Sequence, residues 1–400
     1  MITATPAPGL GPPPACAPLV GVSPVGSASG ESIPGVRVLR LPVPRMPGAG
    51  IAYTPALLGA VARALAAGAA DGRPYDVAHA HASVIAPVAW AALWAARRRG
   101  TPCVFTAHSV LRASGLLLGA ADRAGGWTRG PVLVTGVSGV VVDELRRRLP
   151  GARTAVLPNA TDVAWWRAPA RRGAAAGAAV PRREPGEVRL VTAMRLTAKK
   201  RPLALAGLLA AAVRAAPPGV RVRLVAAGDG PSRGALLRAA RARGLGDALV
   251  VPGWLPRAAL RTLYHDADAF VLPTVRESFG IAALEARAAG LPVLGRAGNG
   301  IAGFVDDGVD GVLAADDGAL ARAAARLVAD GAWRRSLGAA SIARVPRAFD
   351  WAVVVAQHEA AYAAVGGGAR EAERARQPRG PRADARPRGA RPAQERARAG

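Results

Sequence analysis

Cysteine occurs only twice in the 400 residues, at Cys16 and Cys103. Two thiols exclude a disulfide framework and a thiolate metal cluster. No run of 18 apolar residues exists. The longest candidates, Val84–Ala96 and Leu203–Val213, are short, and Pro87 interrupts the first, which excludes a membrane-spanning helix. The N-terminus is a Pro/Gly/Ala stretch without a basic start and apolar core, so no secretory signal is expected and the cytoplasm is the expected compartment. Lysine and asparagine are nearly absent. Of 53 basic residues, 51 are arginine; the lysines are Lys199 and Lys200, and the asparagines Asn159 and Asn299. A chain this rich in Ala, Arg, Gly and Pro reads as the product of a GC-rich genome drifting away from Lys and Asn codons. A lysine that persists in it is either a chance survivor or one whose compact point charge suits phosphate oxygens.

What is present is a chain built to fold. A hydrophobic fraction of 51% with 20% charged residues is globular composition, and the length sets an expectation of two to three domains. The net charge is +26. Residues 366–400, a low-complexity stretch, carry 10 Arg against four acidic side chains. They contribute +6 and leave +20 on residues 1–365. Such a field favours nucleotide phosphates, anionic lipid surfaces or nucleic acid. The tail lacks interleaved aromatics and reads as disordered, so specific nucleic-acid binding is not expected.

From about Gly35, short apolar runs alternate with longer amphipathic ones. Strands are predicted at Val36–Val43, Val77–Ala80, Cys103–Ala107, Val132–Val137 and Thr154–Pro158, with helices at Pro55–Ala70, Ile85–Arg99 and Gly139–Leu149, the last entered through Ser138 as N-cap. Residues 167–186 break the rhythm and read as a linker. It restarts with strands at Val188–Ala193, Val220–Ala226, Leu249–Val251, Ala269–Pro273 and Pro292–Leu294. Helices are predicted at Pro202–Ala215, Ser232–Arg243, Arg257–Ala267, Ile281–Ala289 and Ala319–Ala329. Strand, crossover helix, strand in two blocks predicts an α/β chain of two doubly wound, Rossmann-like parallel-sheet domains facing across a cleft. Ligands of such sheets sit at the carboxyl ends of the strands. The expected units are a Pro/Gly-rich, poorly ordered segment (1–34), a first domain (35–166), the linker, a second domain (187–345), a C-terminal helix (346–365) and the disordered tail.

The densest constellation of chemical groups lies at 273–293. A loop holds Glu277, and a helix starts near Phe279–Gly280. Gly280 lets a ligand approach a first turn whose free N–H groups attract phosphate. Glu277 and Glu285 are either two solvated surface glutamates or two carboxylates that accept hydrogen bonds from sugar hydroxyls at the helix mouth. Upstream, Arg195 with Lys200 five residues on would place two cations at the same edge, suited to neutralise a leaving diphosphate; a solvated basic loop is the bland reading.

Here the sequence becomes recognisable. Glu277-Ser-Phe-Gly through Glu285, followed by Ala-Gly-Leu-Pro-Val, resembles the Glu-x7-Glu signature of glycosyltransferase family 4, retaining enzymes of the GT-B fold. The resemblance continues in family order: Leu157-Pro-Asn-Ala-Thr-Asp162 is similar to the "PNGVD" turn, with Ala160 in place of Gly; Arg195 and Lys200 to the "RL…K" loop; Gly228-Asp-Gly-Pro231 to "GDGP". Pro252-Gly-Trp254 and the strand ending at Pro273 follow in the same order. The resemblance implies that Glu277 binds the donor sugar's hydroxyls, that Glu285 binds the ribose, and that Arg195 and Lys200 hold the diphosphate. Phe279, Gly280 and Ile281 would line the donor site. His108, in Phe105-Thr-Ala-His-Ser109, would stand near the transferred sugar, and His79 and His81, at a strand end facing the same cleft, would serve an acceptor. The donor would be a nucleotide diphosphate sugar, the acceptor small or lipid-linked. The departing phosphate oxygen would take the acceptor proton in same-face attack, with no cofactor and no metal.

Departures and look-alikes bound this reading. Residues 1–34 offer no opening strand, Gly-Gly loop and helix of the family kind; Leu19–Val25 is the one strand-like stretch there. Gly298-Asn-Gly-Ile-Ala-Gly303 replaces the usual "GGIPE". Gly228–Gly234 imitates a dinucleotide fingerprint but reads as a strand-to-helix turn, and Asp266 and Asp268 read as structural caps rather than a metal pair. The Arg97–Arg99 and Arg146–Arg148 triplets end helices, where cations oppose the dipole; peripheral contact with an anionic membrane is the other use for them. The expected function is a glycosyltransferase. The alternative is a catalytically inactive nucleotide-sugar-binding or scaffold protein with a degenerate first domain.

Overall fold

The computed structural model describes residues 2–5, 39–42, 56–68, 74–83, 86–111, 114–170 and 180–376. The expected strand at Leu19–Val25, residues 171–179 of the linker and the tail beyond Arg376 lie outside these. The first lobe contains β1 (Ile2–Thr5), β2 (Leu39–Pro42), α1 (Ala56–Ala66), β3 (Ala78–Ala82), α2 (Pro87–Arg98), β4 (Cys103–Ala107), α3 (Ser114–Gly125), β5 (Val132–Gly136), α4 (Gly139–Arg148), β6 (Thr154–Val156) and α5 (Val163–Arg167). Strands β3 to β6 form a parallel sheet in sequence order, and β1 pairs in parallel with β2 as a separate ribbon. The N-terminal segment therefore does contribute a strand, four residues long, where none is predicted.

The second lobe contains β7 (Glu187–Ala193), α6 (Ala204–Arg214), β8 (Arg221–Ala227), α7 (Arg233–Arg241), β9 (Leu249–Gly253), α8 (Arg257–His265), β10 (Ala269–Leu272), α9 (Ile281–Ala288), β11 (Val293–Arg296), β12 (Gly311–Ala314), α10 (Asp317–Ala329) and α11 (Gly331–Ala343). Its six strands are all parallel in the order β12-β11-β10-β7-β8-β9. The order reverses at β7 and β10, so a crevice opens at their carboxyl ends, after Ala193 and Leu272. Both loops that leave there carry the predicted site residues.

Both sheets are buried on two faces, as crossover helices require. Val104, Val134, Leu190, Val191, Phe270 and Val271 are all fully buried. Arg189 breaks the apolar run of β7, yet is 1% exposed; it pairs with the equally buried Glu187 at 2.6 Å and donates to the Pro181 carbonyl at 3.1 Å. Asp268 accepts from the Arg189 amide and from Arg183, which is the structural use expected for it.

The chain ends by crossing back. Helix α12 (Trp351–Arg376) leaves the second lobe after Asp350 and lays Ala361 and Val365 against Val104, Leu133 and Leu157 of the first. It runs past Gly366–Gly368 to Arg376, eleven residues beyond the predicted helix end at 365: Glu, Ala and Arg at 370–376 are strong helix formers that outlast three glycines. At the lobe junction, the fully buried Trp166 of α5 stacks near Tyr264 at 5.4 Å. Among the described residues no helix is long and apolar enough to cross a membrane.

Candidate active site

The loop after β7 carries the cations. It is seated on the turn after β8: the Met194 amide donates to the Ala227 carbonyl at 3.0 Å and the Leu196 amide to the Asp229 carbonyl at 2.8 Å. Gly228 has φ +129°, and a Cβ there would stand 2.0 Å from the Met194 oxygen. The Gly-Asp-Gly-Pro motif is thus a backbone seat for the Arg195 loop. Arg195 itself is exposed and its side chain has no bonded partner among the described residues. Beyond it, a turn at Ala198–Lys200 closes on Arg201, which has φ 56° and grips Asp317 with both guanidinium nitrogens, at 2.8 and 2.5 Å. That anchor directs Lys200 inward, where Nζ lies 2.5 Å from Oε2 of Glu277. Lys199, by contrast, points into solvent.

The loop after β10 carries the carboxylates. Glu277 is 8% exposed. The Gly300 amide donates to the Glu277 carbonyl at 2.8 Å, and a Cβ on Gly300 would sit 2.3 Å from the Ser278 carbonyl oxygen. Asn299 holds this arrangement from below: it is buried, accepts from the Ile301 amide and donates to the Thr274 carbonyl, both at 3.1 Å. Helix α9 then begins at Gly280, whose φ of 91° and close approach to Ile301 leave no room for a side chain. No side chain caps its first turn, so its N–H groups face the crevice free for an anion. Ile281 is half exposed there. Phe279 is not: it is buried against Phe304 and Phe349, with ring centroids at 5.7 and 5.8 Å, so only its backbone can reach a ligand. One turn on, burial pushes the Glu285 carboxyl up to about 7, against the pull of Arg257. The helix is fixed by buried Arg287, which pairs with Asp310 at 2.7 Å and reaches the Ser341 and Arg344 carbonyls.

The first lobe supplies the opposite wall. His108 follows β4, its amide bonded to the Ala82 carbonyl at 2.8 Å. Its Nε2 lies 2.8 Å from Nδ1 of His81. Burial, then the charges of His81 and His358, lowers its pKa to about 4, so His108 is a neutral hydrogen-bonding group at neutral pH. The Ser278 hydroxyl donates to the His108 carbonyl at 2.8 Å, and the Ser138 hydroxyl donates to the Ser278 carbonyl at 2.5 Å. His108, Ser278, Glu277 and Lys200 are therefore contiguous across the two lobes. Ser138, expected to cap α4, stands at the N-cap but its side chain makes no cap bond; its hydroxyl crosses the cleft instead.

His79 has a different situation from His81. Its Nδ1 lies 2.8 Å from the Tyr362 hydroxyl, and its Nε2 lies 2.7 Å from Thr106 Oγ1. Thr106 in turn is 2.6 Å from Thr135 Oγ1, which reaches the Phe105 carbonyl at 3.3 Å. Counting donors assigns the tautomer. Thr135 must donate to the carbonyl, so Thr106 donates to Thr135 and accepts from His79 Nε2–H, leaving Nδ1 to accept from Tyr362. Burial and the neighbouring histidines lower His79 to about 3. Both of its ring nitrogens are used within the protein, so it offers no free ring atom to an acceptor. His81 stacks on it at 4.1 Å and is exposed. Four of the five histidines share this cluster, His358 of α12 being the fourth. Among the described residues no group of three or more His, Cys, Asp or Glu is arranged to hold a metal ion.

No sequence pattern marks the serine contacts or the tie from α12. Ser278 was visible inside the Glu-Ser-Phe-Gly motif, and Ser138 only as a helix cap. Tyr362 carried no sequence signal.

The family comparisons agree with this geometry. Residues 187–330 match the profile described as "Glycosyl transferases group 1", and residues 7–160 match "Glycosyl transferase 4-like domain". The D-inositol 3-phosphate glycosyltransferase of Geodermatophilus obscurus is 33% identical over 363 residues, covering 84% of this chain and 77% of its own. The glycogen synthase of Mycobacterium tuberculosis is 33% identical over 318 residues, covering 76% and 72%. Among solved structures, Anabaena Alr3699/HepE in complex with UDP superposes with a TM-score of 0.62 at 20% identity over 81% of this chain and 85% of its own. Sucrose-phosphate synthase of Thermosynechococcus elongatus does so with a TM-score of 0.61 at 22% identity, over 82% and 84%. Two parallel-sheet lobes joined by a returning C-terminal helix are the GT-B fold, and the chain belongs to glycosyltransferase family 4.

Proposed function

We propose that this glycosyltransferase moves a hexosyl group from a nucleotide diphosphate sugar to a small or lipid-linked acceptor, with retention at the anomeric carbon. The observation that carries the reading is the contact of Lys200 with Glu277 at 2.5 Å beside the uncapped start of α9. In the reading, Lys200 turns from Glu277 to the diphosphate and is joined there by Arg195, while the first-turn N–H groups of Gly280 and Ile281 take a phosphate oxygen. Two cations brought to the developing charge stabilise the departing nucleotide. Glu277, freed from Lys200, accepts from sugar hydroxyls, and Glu285 accepts from the ribose. Neutral His108 hydrogen-bonds the transferred sugar. The acceptor hydroxyl bonds to the anomeric carbon as the phosphate oxygen leaves, and that oxygen takes the acceptor proton. His81, exposed beside His108, is the acceptor-side group.

With cations already at the leaving group, the reaction needs no metal and no cofactor, and chelator should leave the rate unchanged. The reading places the enzyme in the cytoplasm, in peripheral contact with an anionic membrane. What supports that contact is Trp94, 43% exposed with the Arg98 guanidinium 4.4 Å over its ring, next to Arg97 and Arg99. Sedimentation with phosphatidylglycerol vesicles checks it.

The main test is a panel of UDP-, GDP- and ADP-sugars assayed for nucleotide release, with NMR of the product's anomeric configuration. Turnover with retention supports the proposal. Inversion overturns the stereochemical part, and tight binding without turnover or hydrolysis overturns catalysis in favour of a binding protein.

A further inference from the structure

We infer that Ser138 and Ser278 form a two-hydroxyl latch that holds the cleft closed and sets His108 against Glu277, which makes both serines positioning residues for the transfer step proposed above. The link rests on that reading; the latch itself rests on geometry. Ser138 sits at the N-cap of α4 in the extended conformation, φ −156° and ψ 165°, where a serine ordinarily bonds an amide of its own helix. It makes no such bond and donates across the cleft to the Ser278 carbonyl. Ser278 lies in the opposite lobe, and its hydroxyl crosses back in the opposite sense to the His108 carbonyl. The two bonds share one residue, so they form and break together.

Both ends of the latch are stiff. His108 is held through its amide by Ala82 and through its ring by His81. Ser278 is backed by Gly300, whose missing Cβ lets the backbone pass within contact distance, and the same Gly300 bonds the Glu277 carbonyl. Closing the latch therefore fixes the position of the Glu277 backbone relative to the His108 backbone. When the cleft is open, all four groups bond water instead. A neutral hydrogen bond exchanged with water changes a population by roughly two- to twelvefold, so two such bonds bias closure without locking it. That suits a cleft which opens once per turnover to release product.

The test uses the full chain with Cys16→Ser and spin labels on Arg147→Cys and Arg241→Cys, exposed positions on different lobes; buried Cys103 stays unlabelled. Distance distributions are measured without nucleotide and with saturating UDP or GDP, for the parent, the Ser138→Ala/Ser278→Ala double variant, and Ser138→Thr. The double variant should shift its main population to longer distances and lower kcat at least tenfold with the donor that turns over. Nucleotide Kd should change less than threefold, because the phosphate groups sit wholly on the second lobe. Ser138→Thr, which keeps the hydroxyl, should restore both distance and kcat. An unchanged distance distribution with kcat within twofold of the parent overturns the latch. If neither nucleotide binds the parent, the donor reading is what fails. The nucleotide-free distances still decide the latch: a double variant that matches the parent refutes it, and a longer distance supports it.

Discussion

Replacing His79 with Gln should make the protein resist acid. The imidazole is held neutral, lowered from an ordinary 6.5 to about 3 by burial first and by the charges of His81, His358 and His108 after it. A histidine with a depressed folded value contributes stability that is complete above 6.5 and is lost as pH falls from there toward the folded value, because the unfolded chain binds the proton and the folded one does not. At pH 5 the unfolded imidazole is 1.5 pH units below its own value, which is worth about 2 kcal/mol in favour of unfolding at 1.36 kcal/mol per unit. The figure holds for any folded value at or below about 4. Gln keeps the two bonds: its amide N–H₂ donates to Thr106, and its carbonyl accepts from Tyr362. It has no proton to gain. Urea unfolding at pH 7.5 and 5 should therefore show the variant's stability, relative to the parent, rising by about 2 kcal/mol on acidification. The comparison is made between proteins because Glu285 titrates in the same range with the opposite sign. Profiles parallel within about 0.5 kcal/mol would mean that His79 is free to protonate in the fold, and the assignment of a neutral, doubly bonded ring would be refuted.

Glu285→Gln tests that opposite sign. The folded carboxyl ionises near 7 and the unfolded one near 4.5, so stability falls as pH rises between these values, by roughly 3 kcal/mol in all. The variant should match the parent at pH 4.5 and exceed it by about that amount at pH 8.5, while losing nucleotide-sugar turnover. Lys200→Ala and Glu277→Ala should each lower transfer at least tenfold, each losing a charge-assisted contact of roughly 1.5–3 kcal/mol; rates equal to the parent in both would overturn the roles proposed for them. Lys200→Arg should also impair transfer, since a planar guanidinium does not fit where a compact ammonium meets a buried carboxylate. Gly300→Ala must displace the Ser278–Phe279 backbone, so it should lower both thermal stability and kcat, and a variant unchanged in either measure would show that this backbone is not tightly held.

The second lobe was largely legible because its strands are short apolar runs bounded by polar turns, and β7, β8, β9, β10 and β11 fall within three residues of their predicted bounds. What escaped has physical causes. Strand β12 is only Gly311–Ala314, flanked by aspartates, and is stabilised by pairing with β11 rather than by its own composition. Helix α3 mixes Gly and Ala with a three-leucine run that has no clear period, and α5 is five residues long. Strand β1 reads Ile-Thr-Ala-Thr, too short to register without its partner β2. Phe279 was placed at the donor site by its motif, yet the motif needs its ring as an aromatic prop under the loop. The two lobe-spanning serine bonds join residues 140 and 170 positions apart through single hydroxyls, and no local pattern encodes such a contact.

Scarcity proved a selective guide, and the structure shows why. Of the two lysines, Lys200 meets a carboxylate that is 8% exposed, while Lys199 stands in solvent; codon drift alone accounts for neither, since an arginine at 199 would meet no obstacle. Asn299 must donate on one side and accept on the other within one buried loop, a pairing that an ionised Asp, an acceptor only, does not provide. The histidines follow the same rule more strongly: four of five are drawn into one stacked cluster that touches β3, β4 and α12 at once. Because burial holds His79 and His108 neutral, these two rings join the cluster without adding to a net charge of +26. Any cation there would repel the Arg195 and Lys200 side of the cleft when His108 closes on it. In the proposed reading, uncharged His79 and His108 on one wall and cations on the other let the phosphate end of the donor be recognised from one lobe only, so that closure is set by hydroxyls and backbone rather than by charge.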